Sequence, residues 1–498
     1  MAGECLIFDY NKFKKGNCRK GSDHDAKRLE QDFSALGFDV TIHPNKTTCE
    51  TKNILKDASQ LERLSNNVFI CCILSHGDPG RIQTYDGILY VNDFLKPFKS
   101  TSSEGVPKIF IIQACQGKEG EQHVAMIASD SSSEDHCRLT MGVDFLVATS
   151  TYPGTWSHRK GTGSYFIQGL CKCLEEHSKE RNFLDVLIAV SRLMAYNFQE
   201  RKTCKKQMPC ILSTLTRDIS FTKSILPYER RGDNSPDKME GTGEKSPGKI
   251  EGTSEDSPDK IEPVRYNICN ENDVKDLPRL NCPIDSPYYP INSEVEFLLF
   301  HYQNQTLYFA AAEIYNHFKE FEFRGSDLKM WEFEDGITKY SESKDRNPEC
   351  FICCVATYYK NQVLYSENQG FLKELIWETF TGNQCSFLAG KPKIFLFVTC
   401  EPPDDLKPPP VIASDAAYVC TIPEHADCIE VHLAVKDMEH LTTAVHIFCD
   451  GLKEYRQELD LLNILTKINY ELFNNEQFKD LNVEDKPLIT IFSTLTRS

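Results

Sequence analysis

A histidine and a cysteine stand in segments with the composition expected of a nucleophilic site. His76 follows the apolar run VFICCILS and precedes Gly77, and Cys115 follows the apolar run KIFIIQA. A cysteine attacks a carbonyl as the thiolate, which a neighbouring base favours, and the developing oxyanion needs N–H donors close by. His76 could supply the base, and the backbone at Gly77 and at Cys115 could supply the donors, because glycine permits a close approach. The alternative is that both side chains are structural.

The surrounding chain predicts the elements that would position these residues. Short apolar segments typical of buried strands occupy 4–10, 67–75, 107–114, 144–150 and 209–215, and helical apolar spacing occurs at 25–38, 164–177 and 182–198. This alternation favours a largely parallel sheet with helices on both faces, in which chemistry gathers beyond the carboxyl ends of strands. His76 and Cys115 both stand at such an end.

The same pattern occurs twice. VFICCILSHG (68–77) matches CFICCVATYY (350–359), VPKIFIIQAC (106–115) matches KPKIFLFVTC (391–400), MIASD (126–130) matches VIASD (411–415), and CILSTLTRD (210–218) matches TIFSTLTRS (490–498). The order is kept and the spacing far exceeds any solenoid repeat, which indicates a duplicated domain. We predict a first domain at 1–221, with parts at about 1–130 and 136–221, and a second domain at 291–498.

The segment between the copies, 222–290, has the composition of a disordered linker. The phrase SP(D/G)K(M/I)E recurs at Ser235, Ser246 and Ser257 with an eleven-residue period rich in Pro, Gly, Ser and charge. A proline in every repeat excludes a continuous helix, so disorder is expected. The Ser-Pro pairs could also be phosphorylation sites.

SHGDPG followed by KIFIIQACQG resembles the signature of the caspase family. CRKGSDHDA (18–26) is similar to the family's Arg-x-Gly-Thr/Ser-Asp loop, and GSYFIQGLC (163–171) is similar to the start of its small-subunit helix. The resemblance covers residues 4–221. It implies a three-layer α/β fold, present twice, with a mostly parallel six-stranded sheet between helices. It also implies a cysteine endopeptidase that cuts protein substrates after aspartate, using His76, Cys115 and the oxyanion glycine.

The same resemblance implies a site for the aspartate side chain of the substrate. The fixed fork of an arginine suits a carboxylate better than lysine does. The implied substrate-contacting residues are Arg19, Gln113, Arg159, Ser157, Trp156, His158 and Tyr165. The segment TWSHRKGTGSY is one residue shorter than is usual in the family, and His158 stands where the family usually has tryptophan.

Maturation in the family cleaves between a large and a small subunit. The polar stretch MIASDSSSEDHC makes Asp130 the first expected processing site and Asp135 the second. The first domain begins near Met1, which leaves no room for a recruitment domain and implies a short-prodomain, executioner-type enzyme of apoptosis-like proteolysis.

The second copy lacks the corresponding chemistry. Tyr358 aligns with His76, and Tyr359 aligns with Gly77. Cys400 aligns with the first cysteine, but the proline-rich acidic run EPPDDLKPPP follows it, and the segments opposite the two arginine loops contain no arginine. We therefore predict a pseudo-caspase domain, incapable of the reaction.

The last strands suggest a role for this second copy. Family members pair through that strand, and ILSTLTR (211–217) and IFSTLTR (491–497) are nearly identical here. We expect the two copies to pair with each other, although shared core packing would also explain the similarity. The alternative function is a non-catalytic regulator that pairs with separate caspases.

Composition limits the number of domains, the classes of partner and the cell compartment that we expect. The 498 residues, 40% of them hydrophobic, can form two or three cores, and a net charge of −17 gives no support for nucleic-acid binding. No signal peptide or membrane-length apolar run is found, and many of the 21 cysteines lie in apolar runs, so a reducing cytosol is expected. The one CxxC, Cys350 to Cys353, lies in a predicted strand, where such spacing points to opposite faces, so we predict no metal or cofactor.

Overall fold

The computed structural model covers most of both copies. It describes residues 3–60, 68–78, 80–99, 105–115, 141–151, 157, 159–160, 163–197, 207–221, 289, 294–343, 345–361, 363–380, 385–412 and 427–497. The predicted linker apart from Tyr289, the subsite residues Trp156 and His158, and the processing residues Asp130 and Asp135 lie outside these ranges.

The first copy alternates strands and helices. Its elements are β1 (Gly3–Asp9), α1 (Ser22–Ala35), β2 (Phe38–Pro44), α2 (Thr48–Ala58), β3 (Val68–Leu74), β4 (Gly77–Asp78), β5 (Arg81–Gln83), β6 (Ile88–Tyr90), α3 (Val91–Leu95), β7 (Lys108–Gln113), β8 (Phe145–Thr149), β9 (Arg159–Lys160), β10 (Gly163–Ser164), α4 (Tyr165–His177), α5 (Phe183–Asn197) and β11 (Cys210–Ser213). The predicted strands and helices are all present. The sequence pattern missed β2, α2, α3 and the short strands β4 to β6, β9 and β10.

Six of these strands form a mostly parallel sheet in the order β2, β1, β3, β7, β8, β11. The first five run parallel, and β11 is antiparallel to β8. The strands β1, β3, β7 and β8 are almost wholly buried because helices cover both faces, which explains their continuous apolar runs.

The second copy repeats this plan. Its elements are β12 (Val295–His301), α6 (Gln305–Glu320), β13 (Arg324–Lys329), α7 (Phe333–Ser341), β14 (Cys350–Lys360), β15 (Val363–Tyr365), β16 (Gly370–Leu372), α8 (Lys373–Thr379), β17 (Lys393–Cys400), β18 (Val411–Ile412), β19 (Cys428–Val435), α9 (Met438–Tyr455), α10 (Leu461–Asn474) and β20 (Leu488–Ser493). The sheet order is β13, β12, β14, β17, β19, β20. The predicted three-layer α/β fold, present twice, is confirmed.

The two sheets adjoin through their last strands. Strands β11 and β20 are antiparallel neighbours, with Leu212 opposite Phe492. On one face of the combined sheet a single apolar core includes Ile211 of the first copy and Ile491 of the second. The other face carries separate cores for the two copies.

The same aspartate–threonine hydrogen bond stabilises the chain next to β11 and next to β20. Asp144 and Asp427 precede β8 and β19 with left-handed φ angles of 63° and 61°. Thr216 donates its hydroxyl to Asp144 Oδ1 at 2.6 Å, and Thr496 donates to Asp427 Oδ1 at 2.5 Å. Tyr289, within the predicted linker, also donates to Asp427 Oδ1, at 2.6 Å.

The cysteines of the described segments are free thiols. Cys350 and Cys353 lie in β14 with their side chains in different apolar cores, as the alternation of a strand requires. Within the described ranges no cluster of His, Cys, Asp and Glu has the arrangement of a metal site, and no helix is long and apolar enough to cross a bilayer.

Candidate active site

Two adjacent parallel strands carry the predicted histidine and cysteine. Leu74 of β3 stands opposite Gln113 of β7, and Ser75 donates its backbone N–H to the Gln113 carbonyl at 3.1 Å. His76 and Cys115 each lie two residues beyond this pair. Both therefore stand at the same carboxyl edge of the sheet.

The His76 ring is held from the side of the loop that follows β1. Its Nε2 lies 3.3 Å from the Asn17 carbonyl oxygen, and its ring centroid lies 5.2 Å from that of Phe13. A carbonyl oxygen only accepts, so Nε2 carries the hydrogen in this contact. In the neutral ring, Nδ1 is then the nitrogen that can take up a proton.

Cys115 is more accessible than the structural cysteines of the same sheet. Its side chain is half-buried, and Sγ donates to the Ser157 carbonyl at 3.7 Å. Cys71 and Cys72 of β3 are fully buried, and burial raises the pKa of both thiols well above the ordinary value. Their thiols are therefore inert at neutral pH.

Gly77 lies against the backbone of the cysteine turn. A Cβ at this position would stand 2.5 Å from the Arg81 carbonyl oxygen and 3.1 Å from that of Cys115. Only a glycine fits this approach without displacing backbone.

Arg19, one of the predicted substrate-contacting residues, is almost completely buried, at 2% exposure. A left-handed residue, Gly21 (φ 83°), turns the loop into α1, and Arg19 Nη1 donates to Ser22 Oγ at 2.7 Å. Ser22 in turn donates to Asp9 Oδ1 at the end of β1. Burial raises the Asp9 pKa, opposed by the Ser22 hydrogen bond and the charge of Arg19. This relay fixes the arginine to the sheet.

Gln113 and Ser157 meet beside Cys115. Gln113 Nε2 donates to Ser157 Oγ at 2.5 Å, while the buried Gln113 Oε1 has no hydrogen-bond partner within the described residues. Arg159 is described in its backbone, where β9 places it opposite Ser164 of β10. Tyr165 begins α4 and is half-buried against the core.

Several supporting residues escaped the sequence-based prediction of site residues, among them Asp25 and Gln207. Asp25 is buried and accepts the Ser164 backbone N–H at 2.9 Å and Gln168 Nε2 at 3.0 Å, and burial raises its pKa. It belongs to the GSDHDA segment, so its motif was visible although its partner was not. Gln207 donates to Ser157 Oγ at 3.3 Å, and its polar surroundings, KKQMP, gave no signal.

At the corresponding edge of the second copy, the aligned residues belong to the β-ladder. Strand β14 continues as far as Lys360, so Tyr358 lies inside the ladder, opposite Cys400 of β17. Cys400 is 2% exposed, with Sγ 3.7 Å from Met438 Sδ. Burial, aided by Glu401, raises the pKa of this thiol to about 12. Cys400 therefore stays protonated at neutral pH.

A cysteine and a histidine at the carboxyl edge of a parallel sheet, with a buried arginine on the neighbouring loop, form the arrangement expected of a cysteine peptidase with an α/β fold. The family model of the caspase domain matches residues 2–220 and 310–497. The chain belongs to the caspase family and contains the caspase domain twice.

Individual relatives agree with this assignment. Caspase-7 from Gallus gallus is 35% identical over 237 residues, 44% of this chain and 77% of the relative. Caspase-3 from Mesocricetus auratus is 36% identical over 234 residues, covering 44% and 83%. Among solved structures, caspase-1 from Spodoptera frugiperda is 30% identical, with 45% of this chain and 90% of that chain covered and a TM-score of 0.39. The caspase-7 and caspase-3 relatives support a caspase-type protease.

Proposed function

We propose that the chain is an active, executioner-type cysteine endopeptidase that cleaves proteins after aspartate, and that its first copy carries the activity. The observation that carries this proposal is the accessible Cys115 at the same sheet edge as His76, with the glycine backbone against it. A cysteine so placed differs from Cys400, whose thiol is buried and protonated.

These positions support a peptidase reaction in two stages, acylation and hydrolysis. His76 takes the thiol proton of Cys115, and the thiolate attacks the main-chain carbonyl carbon of the substrate aspartate. Backbone N–H groups of Gly77 and Cys115 stabilise the oxyanion. His76 then donates the proton to the leaving amine, and the C–N bond breaks. Water, deprotonated by His76, hydrolyses the thioester and releases the acid and the thiol.

The substrate carboxylate is the group that we assign to Arg19, Arg159 and Gln113. The buried Arg19 is attached to the sheet through Ser22, and Gln113 projects from β7 next to the nucleophile. A guanidinium and an amide held in this way bind a small carboxylate without losing much side-chain freedom.

The walls of the neighbouring subsites are assigned on the resemblance alone. They consist of Trp156, His158 and Tyr165, and Ser157 is assigned to the substrate-binding residues on the same ground. Processing at Asp130, or else at Asp135, would separate the two subunits of the first copy. We place the protein in a reducing cytosol, in apoptosis-like proteolysis.

The second copy is proposed as a built-in partner of the first. Its last strand lies beside β11, and side chains cross between the copies: Asn182 Nδ2 donates to Asn463 Oδ1 at 2.8 Å, and Arg192 Nε donates to the Thr496 carbonyl at 2.9 Å. A tethered partner pairs at an effective concentration that reaches the millimolar range.

A fluorogenic peptide ending in aspartate tests the proposed activity. We expect wild type to release the fluorophore, and Cys115→Ala and His76→Ala each to lose about 1,000-fold or more in kcat, because nucleophile and base act as a unit. The matched control Cys400→Ala should retain wild-type kcat and KM. Hydrolysis that survives in Cys115→Ala, or a wild type inactive on every aspartate peptide, would reject the assignment.

A further inference from the structure

Gln207 is buried near Cys115 and hydrogen-bonds to two segments of the chain, one at Ser150 and one at Ser157. The side chain is 2% exposed, and its Nε2 donates to the Ser150 carbonyl at 2.6 Å and to Ser157 Oγ at 3.3 Å. One buried amide group thus contacts the end of β8 and the segment before β9.

The contact with Ser150 leads to the peptide that precedes the nucleophile. Ser150 donates its backbone N–H to the Ile112 carbonyl at 2.8 Å and its hydroxyl to the Ala114 carbonyl at 3.1 Å. Ser150 therefore fixes the chain on the amino-terminal side of Cys115. Gln207 in turn fixes Ser150.

The contact with Ser157 leads to the thiol itself. The Ser157 carbonyl accepts from Cys115 Sγ at 3.7 Å, and its hydroxyl accepts from Gln113 Nε2 at 2.5 Å. Gln207 therefore limits the rotation of a residue that contacts both Cys115 and Gln113.

The second copy has backbone pairing where the first copy has the Gln207 hydrogen bonds. Its ladder between β19 and β20 runs to the pair Ala434 and Leu488, whereas the ladder between β8 and β11 stops at Thr149 and Cys210, two pairs earlier. The residue directly before Cys210 is Pro209, which has no N–H with which to extend the ladder. Where the shared STLTR segments align, Pro487 takes the place of Gln207. The polar contacts replace the ladder in the copy with the accessible cysteine.

We propose that Gln207 is a positioning residue for the reaction at Cys115. It holds the chain at Ala114 and Cys115 through Ser150 and Ser157, and it connects this part of the chain to β11, the strand that adjoins the second copy. This inference rests on the proposed peptidase activity for its kinetic consequences, and on the hydrogen bonds alone for its effect on the thiol.

Gln207→Met tests the proposal, because methionine keeps the size of the side chain and removes both donors. Against an aspartate peptide, kcat per titrated active site should fall about 10- to 100-fold, the size expected for a nucleophile misplaced by less than 1 Å, with KM within about threefold of wild type. The neighbouring buried Met208→Leu, which changes packing and no hydrogen bond of the site, should leave kcat at the wild-type value.

Two further measurements separate positioning from a folding defect. Combined with Ser157→Ala, Gln207→Met should lose less than the product of the two single effects, because both remove the same contact. Gln207→Glu, which keeps the shape and cannot donate to the Ser150 carbonyl, should also lower kcat per active site.

A neutral haloacetamide gives a readout that needs no peptidase activity. The rate of Cys115 alkylation, followed by mass spectrometry, should change at least threefold in Gln207→Met and stay constant in Met208→Leu. A wild type that does not cleave after aspartate would reject the proposed function while this rate still tests Gln207. Unchanged alkylation, or a Gln207→Met loss explained by fewer active sites, would overturn the inference.

Discussion

At the scale of the residue, the two aligned cysteines differ through their surroundings. Cys115 stands just beyond the last ladder pair of β3 and β7, half-buried and hydrogen-bonded to a backbone carbonyl. Cys400 is itself a ladder residue, covered by Met438, with its thiol pKa raised to about 12 by burial. The same side chain is therefore a candidate nucleophile in one copy and a core residue in the other.

The proposed aspartate preference rests in part on the geometry of the buried Arg19. Arg19→Lys keeps the positive charge and loses the planar fork that matches a carboxylate. We expect the ratio of kcat/KM for an aspartate peptide over its asparagine analogue to fall about 100-fold, equivalent to about 3 kcal/mol of lost transition-state binding.

The exposed neighbour supplies the control for this change. Lys20→Gln alters charge on the same loop without a buried fork, and it should leave the ratio within about twofold of wild type. An Arg19→Lys protein with the wild-type ratio would show that Arg19 does not contact the substrate carboxylate.

At the scale of the element, α5 and α10 bring like charges together between the copies. Asp460 caps α10 by accepting the Leu462 N–H at 3.1 Å, and it faces Asp185 near the start of α5. Burial, then the charge of Asp460, raises the Asp185 pKa from 3.8 to about 6. Asp218 adds to this shift, and Arg181 opposes it. Asp185 Oδ1 is also buried without a hydrogen-bond partner among the described residues.

The sign of the pH dependence follows from that raised pKa. Between pH 3.8 and about 6 the folded protein binds a proton at Asp185 that the unfolded chain has released. The free energy of unfolding therefore falls as pH rises through this window and stays at the lower level above it. Asp185→Asn should raise Tm at pH 8 by about 2 °C or more and leave Tm at pH 4 nearly unchanged.

Calorimetry of the full chain between pH 4 and pH 8 measures this difference. The exposed Asp480→Asn serves as the control, and its Tm curve should run parallel to that of wild type. An Asp185→Asn curve that is also parallel to wild type would remove Asp185 as the source of the pH dependence.

The ladders themselves distinguish the two copies. In the second copy β14 continues to Tyr358 opposite Cys400, and β20 continues to Leu488 opposite Ala434. Both extensions run through the edge where the first copy has its polar site. Backbone pairing in the second copy therefore occupies positions that hold polar contacts in the first.

At the scale of the whole molecule, adjacency of β11 and β20 covers a strand edge in each copy. An uncovered edge of this kind pairs with other chains, and a covalent tether favours the internal partner. We therefore expect a protease recognition sequence inserted within 222–288 to be cut without immediate loss of activity. The two halves should co-elute at micromolar concentration.

Dilution of the cut protein completes the test. Once the tether is broken, the effective concentration falls from about millimolar to that of the solution, so activity per site should decline on dilution into the nanomolar range. The uncut chain should keep its activity over the same range. Halves that separate at once with activity undiminished would show that the second copy is not the partner of the first.

The sequence by itself determined the duplication, the central strands and the different residues at the aligned site positions of the two copies. These features are local, because a strand covered on both faces must be apolar along its whole length, as VFICCIL in β3 is. Strand β2 escaped the prediction because it lies at the sheet edge, where FDVTIHP is half exposed and mixes polar with apolar residues.

Only the tertiary structure decided how the site is supported. Asp25 reaches Ser164, and Gln207 reaches Ser150 and Ser157, across separations that leave no periodic trace in the chain. A hydrogen bond between distant residues requires only one donor and one acceptor, which many polar residues could supply. The packing of the sheet selects which of them meet, and that selection gave Cys115 its supports and gave Cys400 a ladder partner.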